Sequence, residues 1–307
     1  MKIIVIGSTG QLGWELQQAQ SAIEQTLGVT FHTIYLSSSQ LDITDGVKVT
    51  TAIKLHHPDI VINAAAYTAV DKAESDEAKA YSVNALGVKN LAVACHQCSA
   101  KLIHVSTDFV FDGSKNTPYL SSDSTNPVSV YGASKLAGEQ HVQAILANQA
   151  CIVRTAWVYS EHGNNFVKTM LRLMAEKDQL GVVYDQVGTP TWAKGLAKMI
   201  WTLAVRMHNE NSSQYSPLES VSQTPIHHWT DAGVASWYDF AVAIQDIAFE
   251  KGLLDKRIPV RPIPTSAYTT AAKRPSYSVL DKASAEQASG RITQHWRASL
   301  EEMLGNL

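Results

Sequence analysis

Five short apolar runs rich in Ile and Val recur between helical patterns: Lys2 to Ile6, Val29 to Leu36, Asp59 to Asn63, Lys101 to Ser106 and Cys151 to Thr155. A strand that is apolar on both faces must be covered on both faces, and a parallel sheet with helices on either side meets that demand. The rhythm predicts an α/β fold built on a doubly wound parallel sheet, Rossmann-type. Ser75-Asp76-Glu77 places a capping side chain and acidic first-turn residues ahead of a helix over 78–94. Further helices are predicted at Phe166 to Glu176, Trp192 to Arg206 and Trp237 to Lys251, with a surface loop over His208 to Pro217. Three prolines in Arg257 to Pro264 disfavour helix and point to an extended edge strand or a connection.

Composition narrows the classes. Hydrophobic residues make up 45% and charged residues 17% of the 307, values of an ordinary globular chain rather than a disordered one. A net charge of -3 with scattered Lys and Arg offers no basic field, so nucleic acid is not an expected partner. Met1-Lys2 leads straight into an apolar run too short for a signal peptide, and no run is long enough to span a bilayer. No membrane association and a cytoplasmic location are expected. Cys95 and Cys98 form a Cys-x-x-Cys late in a helical pattern with no second ligand pair nearby, which argues against a zinc or redox site.

Gly7-Ser8-Thr9-Gly10-Gln11-Leu12-Gly13 stands where the first strand passes into the first helix. There the unpaired N–H groups of a helix start can hold a pyrophosphate, and glycines permit the tight turn and the close approach. Gly7, Gly10, Gln11, Leu12 and Gly13 are therefore candidate dinucleotide contacts. The second strand ends in Leu36-Ser37-Ser38-Ser39, where an NAD-selective site would usually place a carboxylate on the adenosine ribose. Serines bond either a 2′-hydroxyl or a 2′-phosphate, and no Arg or Lys adjoins them, so Ser37 and Ser38 suit NADPH and NADH alike or with a modest preference for NADPH. Asp42 and Ile43 are placed to face the adenine, and Ala64, Ala65 and Ala66 have the small side chains needed beside a cofactor.

Tyr131 and Lys135 lie four residues apart on one helical face. A cation near a phenol lowers its pKa toward working pH, so that the Tyr can give and regain a proton. Thr107 follows the fourth apolar run, at the carboxyl end of a strand where ligands bind in doubly wound sheets, and is placed to bond a carbonyl oxygen under reduction.

Taken with Asn63 to Asp71, Ser106 to Phe111, Arg154 to Tyr159, Gly163 to Phe166, and Asp185 to Thr191, these motifs resemble the extended short-chain dehydrogenase/reductase family. More narrowly they resemble its dTDP-4-dehydrorhamnose reductase branch, over nearly the whole chain. The resemblance implies an oxidoreductase acting on a nucleotide sugar with a nicotinamide cofactor. It implies Tyr131 as proton donor, Lys135 as its partner, and Thr107, Asp108, Trp157 and Asn165 as substrate contacts, with Arg274 approaching the nucleotide diphosphate. It also implies residues 1–160, with a returning segment near 185–230, as the cofactor-binding part and 161–307 as a smaller C-terminal substrate-binding lobe. Some members hold magnesium through glutamates at a homodimer interface. This chain has Glu15, but Lys194 stands where the pattern often has Glu, so a complete magnesium site is not expected. Phe109 stands where these reductases commonly have Tyr, and where a dehydratase would have the Glu that removes a proton beside the carbonyl.

Overall fold

The computed structural model describes residues 1–209 and 223–307. Six strands form the central sheet: β1 (Lys2–Ile6), β2 (His32–Leu36), β3 (Ile60–Asn63), β4 (Lys101–Thr107), β5 (Ala150–Thr155) and β6 (Ile226–His228). Their order is β6-β5-β4-β3-β1-β2 and every neighbouring pair is parallel. The chain leaves β1 to one side for β2 and crosses to the other for β3. Connections from β1 and β3 therefore diverge and open a crevice at their carboxyl ends.

The period-2 alternation of a strand sorts the apolar residues of β1 onto two faces. Ile3 and Val5 pack with Leu16, Ile200 and Trp201 on one side, while Ile4 and Ile6 pack with Val49, Ile53 and Leu91 on the other. All four are at most 1% exposed, and each such burial contributes about 1.5–3 kcal/mol before conformational entropy is counted. A separate cluster, including Met170, Met174, Phe240, Ile244 and Leu300, forms the core of the C-terminal segments. The proline-bearing stretch contributes a strand, Val260–Ile263, paired in parallel with Leu180–Val183.

Several boundaries differ from expectation. β2 begins at His32 rather than Val29. The helix expected over 78–94 runs from Glu77 to Gln97, with a π-helical turn at Ser82–Gly87. Its expected cap is not made: Ser75 donates to the carbonyl of Lys72, and Asp76 at the N-cap position makes no side-chain cap bond. The expected loop over 208–217 lies outside the described residues from position 210, and His208 belongs to the helix Ala193–Asn209. Among the described residues no helix is long and apolar enough to cross a membrane.

Candidate active site

The glycine turn places its steric demands unevenly. Gly7 has φ +83°, and a Cβ there would stand 2.6 Å from the amide nitrogen of Ala65. At Gly13 a Cβ would meet the carbonyl of Gly7 at 2.2 Å, because the helix Gln11–Leu27 starts directly against the turn. Gly10, by contrast, has φ -75° and an unobstructed Cβ direction. It is the N-cap and supplies no side-chain bond, so first-turn N–H groups remain for a ligand.

A cavity of about 500 Å³ opens beside this turn, lined among others by Gln11, Leu12, Thr107, Asp108, Tyr131 and Lys135. A second of about 390 Å³ runs toward Ser38, Asp42 and Ile43 and shares Thr9, Gly10, Ala64 and Ala66 with the first. The two form one groove along the carboxyl edge of β1 and β3, the shape a dinucleotide needs. Ala65 lines its far end.

The helix Val130–Leu146 carries Tyr131 and Lys135. It starts at Ser129, whose side chain accepts from the amide of Gly132. Gly132 permits the close approach that places Tyr131 here, since a Cβ would lie 2.2 Å from the carbonyl oxygen of Phe109. Farther along, Glu139 pairs in two-pronged fashion with Arg154 of β5 (3.0 and 2.7 Å) in full burial, fixing the helix against the sheet. Asn84, in the π-helical turn, gives one N–H to Ser134 (3.0 Å) and another to the carbonyl of Tyr67 (3.1 Å). π-Turns recur at functional sites, and this one ties the Tyr131 helix to the loop after β3.

The electrostatics depart from the expectation drawn from spacing. Lys135 donates to the carbonyl of Val105 at 2.7 Å, and burial moves its pKa down to about 8. Tyr131 is pushed up to about 12, first by burial and then by the neighbouring charge of Asp108, against a hydrogen bond with Thr107. Burial and the Asp108 charge, not Lys135, set the direction of the Tyr131 shift. Asp108 is itself raised to about 6 by burial while accepting from Thr107 at 3.0 Å. Phe109 meets the Tyr131 ring edge-on, centroids 5.4 Å apart.

Trp157 lines the first cavity with φ 49°, a left-handed backbone rarely adopted by a bulky residue. Its ring stacks on Trp237 at 3.5 Å between centroids. Trp237 and Arg274 line a further cavity of about 350 Å³, so the indole stack forms a partition between the two spaces. Asn165 is not free for a ligand as expected: its amide donates to Gln11 and to the carbonyl of Ser160, and its oxygen caps the helix Phe166–Glu176. Asn164 lines the cavity instead. Arg274 is held by Asp71. Of the expected serines, Ser38 lines the groove, whereas Ser37 is engaged with Gln40 and Ser39. Glu15 accepts from Ser160 at 2.7 Å, Lys194 pairs with Glu302, and among the described residues no three His, Cys, Asp or Glu converge as a metal site.

The family model described as "RmlD substrate binding domain" matches residues 1–307. The chain belongs to that family. A dTDP-4-dehydrorhamnose reductase of Aggregatibacter actinomycetemcomitans is 39% identical over 302 residues, covering 98% of each chain. The crystal structure of a dTDP-4-dehydrorhamnose reductase from Clostridium acetobutylicum superposes with a TM-score of 0.87 at 40% identity, covering 100% of this chain and 99% of that one. A third, the Bacillus anthracis reductase in complex with NADP, gives 0.86 at 35% identity over 100% and 99% of the two chains. Within this RmlD frame, residues that sequence reasoning missed are Thr9, Lys79, Asn84, Asn164 and Trp237. Lys79 arrives at the Ser38 end of the groove from a helix some forty residues away, and nothing in its local sequence signals that placement.

Proposed function

We propose that this protein reduces the C4 keto group of dTDP-4-dehydro-L-rhamnose with NADPH or NADH, giving dTDP-L-rhamnose for polysaccharide synthesis. One observation carries the reading: Thr107, Asp108, Tyr131 and Lys135 border a single cavity that is continuous with the glycine-turn groove. When bound, the reduced nicotinamide supplies the hydride that adds to C4.

The chain supplies the rest. First-turn amides after Gly10 hold the pyrophosphate, and Ser38 and Lys79 border the adenosine ribose. Thr107 turns its one hydroxyl proton from Asp108 to the sugar carbonyl oxygen, and Tyr131 transfers its phenolic proton to that oxygen as hydride arrives, so that one hydride and one proton make the C4 hydroxyl. A phenol pushed up to about 12 remains protonated through the physiological range and is ready to donate. Lys135, fixed on Val105, adds a positive charge to the wall of the same cavity, where negative charge develops on the substrate oxygen as it is reduced. Asp108 accepts from a sugar hydroxyl. In this reading residues 1–160, with the segment near 185–230, hold the cofactor, and 161–307 supply the nucleotide-sugar side, Arg274 among them.

Absorbance at the nicotinamide band, with dTDP-4-dehydro-L-rhamnose and each cofactor in turn, tests the reading. Stoichiometric oxidation with formation of dTDP-rhamnose is expected. Binding of NADPH without turnover of this substrate would overturn it, and loss of dTDP-glucose without net cofactor consumption would replace it with a dehydratase.

A further inference from the structure

Asp71 and Arg274 lie 203 residues apart in sequence and meet as a two-pronged ion pair. Nη1 donates to Oδ1 at 3.0 Å and Nη2 to Oδ2 at 2.7 Å. The amide of Ala272 also donates to Oδ1 at 3.1 Å, and Nη1 reaches back to the carbonyl of Ala272 at 3.3 Å. Asp71 sits in the short helix Val70–Ala73, on the loop whose Thr68 and Val70 line the catalytic cavity. Arg274 lines the neighbouring cavity beyond the Trp157–Trp237 partition. The pair thus joins the walls of the two spaces.

The bonding leaves a specific part of the guanidinium unused. Both Nη1 hydrogens and one Nη2 hydrogen are taken. The Nε–H and the remaining Nη2–H, which lie parallel on one edge of the plane, have no partner among the described residues. That edge is the fork that matches two oxygens of a phosphate. An arginine on a flexible stem would otherwise lose rotamer freedom on engaging a ligand, and a carboxylate gripping its far edge removes that loss beforehand. The hydrogen bonds from Arg274 also hold the Asp71 carboxyl below the usual carboxylate range, so the grip persists at neutral pH.

We infer that Asp71 is a positioning residue for substrate, orienting Arg274 so that its free edge receives the diphosphate of the nucleotide sugar. The inference rests on the nucleotide-sugar reading above, and predicts coupling: Asp71 matters for nucleotide binding only while Arg274 is present.

Calorimetric titration of dTDP into the NADPH-loaded protein tests it with four proteins: the parent, Asp71→Asn, Arg274→Gln and the double variant. Each single change is expected to weaken dTDP about 10-fold, the scale of a charge-assisted hydrogen bond. The double variant is expected to be no weaker than Arg274→Gln, with NADPH affinity unchanged in all. Unchanged or tighter dTDP binding in Asp71→Asn overturns the inference, as does a double variant whose loss is the product of the single losses. Should Asp71→Asn not fold, Asp71→Glu, which keeps the charge and displaces the carboxylate by one methylene, carries the same comparison. Turnover of the keto sugar by the parent protein is read separately: coupling without turnover sinks the reductase reading alone, and turnover without coupling sinks this one alone.

Discussion

Lys135 gives its ammonium to the carbonyl oxygen of Val105, 2.7 Å away, and so is tied to β4, the strand that ends in Thr107. The charge is fixed beside the catalytic strand instead of being left to the Tyr131 ring. Tyr131→Phe keeps the ring and its edge contact with Phe109 but removes the transferable proton, and turnover is expected to fall at least ~10²-fold with cofactor affinity unchanged. Steady-state rates with a parallel NADPH titration check this. Near-parental turnover would remove Tyr131 from the proposed role.

The same pair predicts a pH profile. With Lys135 moved down to about 8 and Tyr131 up to about 12, the first charge to change on the alkaline side is the lysine's. kcat/KM is expected to decline as pH rises through about 8, and Lys135→Met is expected to remove that limb along with most of the activity. A profile that stays flat to pH 10 in the parent protein would mean that the ammonium is not required.

Glycine replacements separate a folding demand from a ligand demand. Gly13→Ala drives a methyl toward the Gly7 carbonyl 2.2 Å away, so both thermal midpoint and cofactor affinity are expected to drop. At Gly10 the nearest atom is 3.4 Å from the added carbon, an ordinary contact. Gly10→Val is expected to leave the midpoint within a few degrees and to weaken NADPH at least ~10-fold through its approach to the pyrophosphate. Calorimetry and NADPH titration of both variants decide. Unchanged NADPH affinity in folded Gly10→Val would show that the turn does not border the pyrophosphate.

Cofactor choice is expected to depend on Ser38 and Lys79 together, since the groove brings both to one end. Ser38→Asp places a carboxylate that bonds a free 2′-hydroxyl and repels a 2′-phosphate, moving the preference toward NADH. Lys79→Ala removes the cation and is expected to cost NADPH several-fold more affinity than NADH. The ratio of the two dissociation constants in each variant is the measurement, and parental ratios in both would place the 2′ position elsewhere.

The strands were legible because burial on both faces leaves Ile3 to Ile6 a continuous apolar run, and the Tyr131–Lys135 spacing was legible because a helix puts four-apart residues on one side. Side-chain commitments were not. Asn165 reads as a ligand contact in a motif, yet its amide is spent on Gln11 and Ser160, partners set by tertiary packing 154 and 5 residues away. The sign of the Tyr131 shift likewise depends on how deeply the helix is buried, which Gly132 and the Glu139–Arg154 pair decide and no local spacing encodes.

Glu15 offers a prediction about stability rather than turnover. It is 2% exposed on the helix Gln11–Leu27, accepts from Ser160, and is pushed up to about 8 by burial and then by its hydrogen bond with Glu161. Burial raises Glu161 as well, but hydrogen bonds with Asn306 and with Glu15 outweigh it and hold Glu161 below its usual range, so Glu15 carries the proton of the pair. The folded state therefore keeps a proton that the unfolded chain, with an ordinary carboxyl near 4.5, has released. Stability from this group is fully present below pH 4.5 and is lost as pH rises through about 8. Glu15→Gln mimics the protonated side chain, accepting from Ser160 and donating to Glu161 without titrating. The parent protein's thermal midpoint is expected to fall between pH 6 and pH 8.5 more steeply than the variant's. The parent's extra fall over this window should be on the order of 5–10 °C, the shift that about 3 kcal/mol produces in a large domain. Other buried acids such as Asp231 titrate in the same window in both proteins and cancel in the comparison. Parallel midpoint curves would mean that Glu15 does not hold a proton at neutral pH.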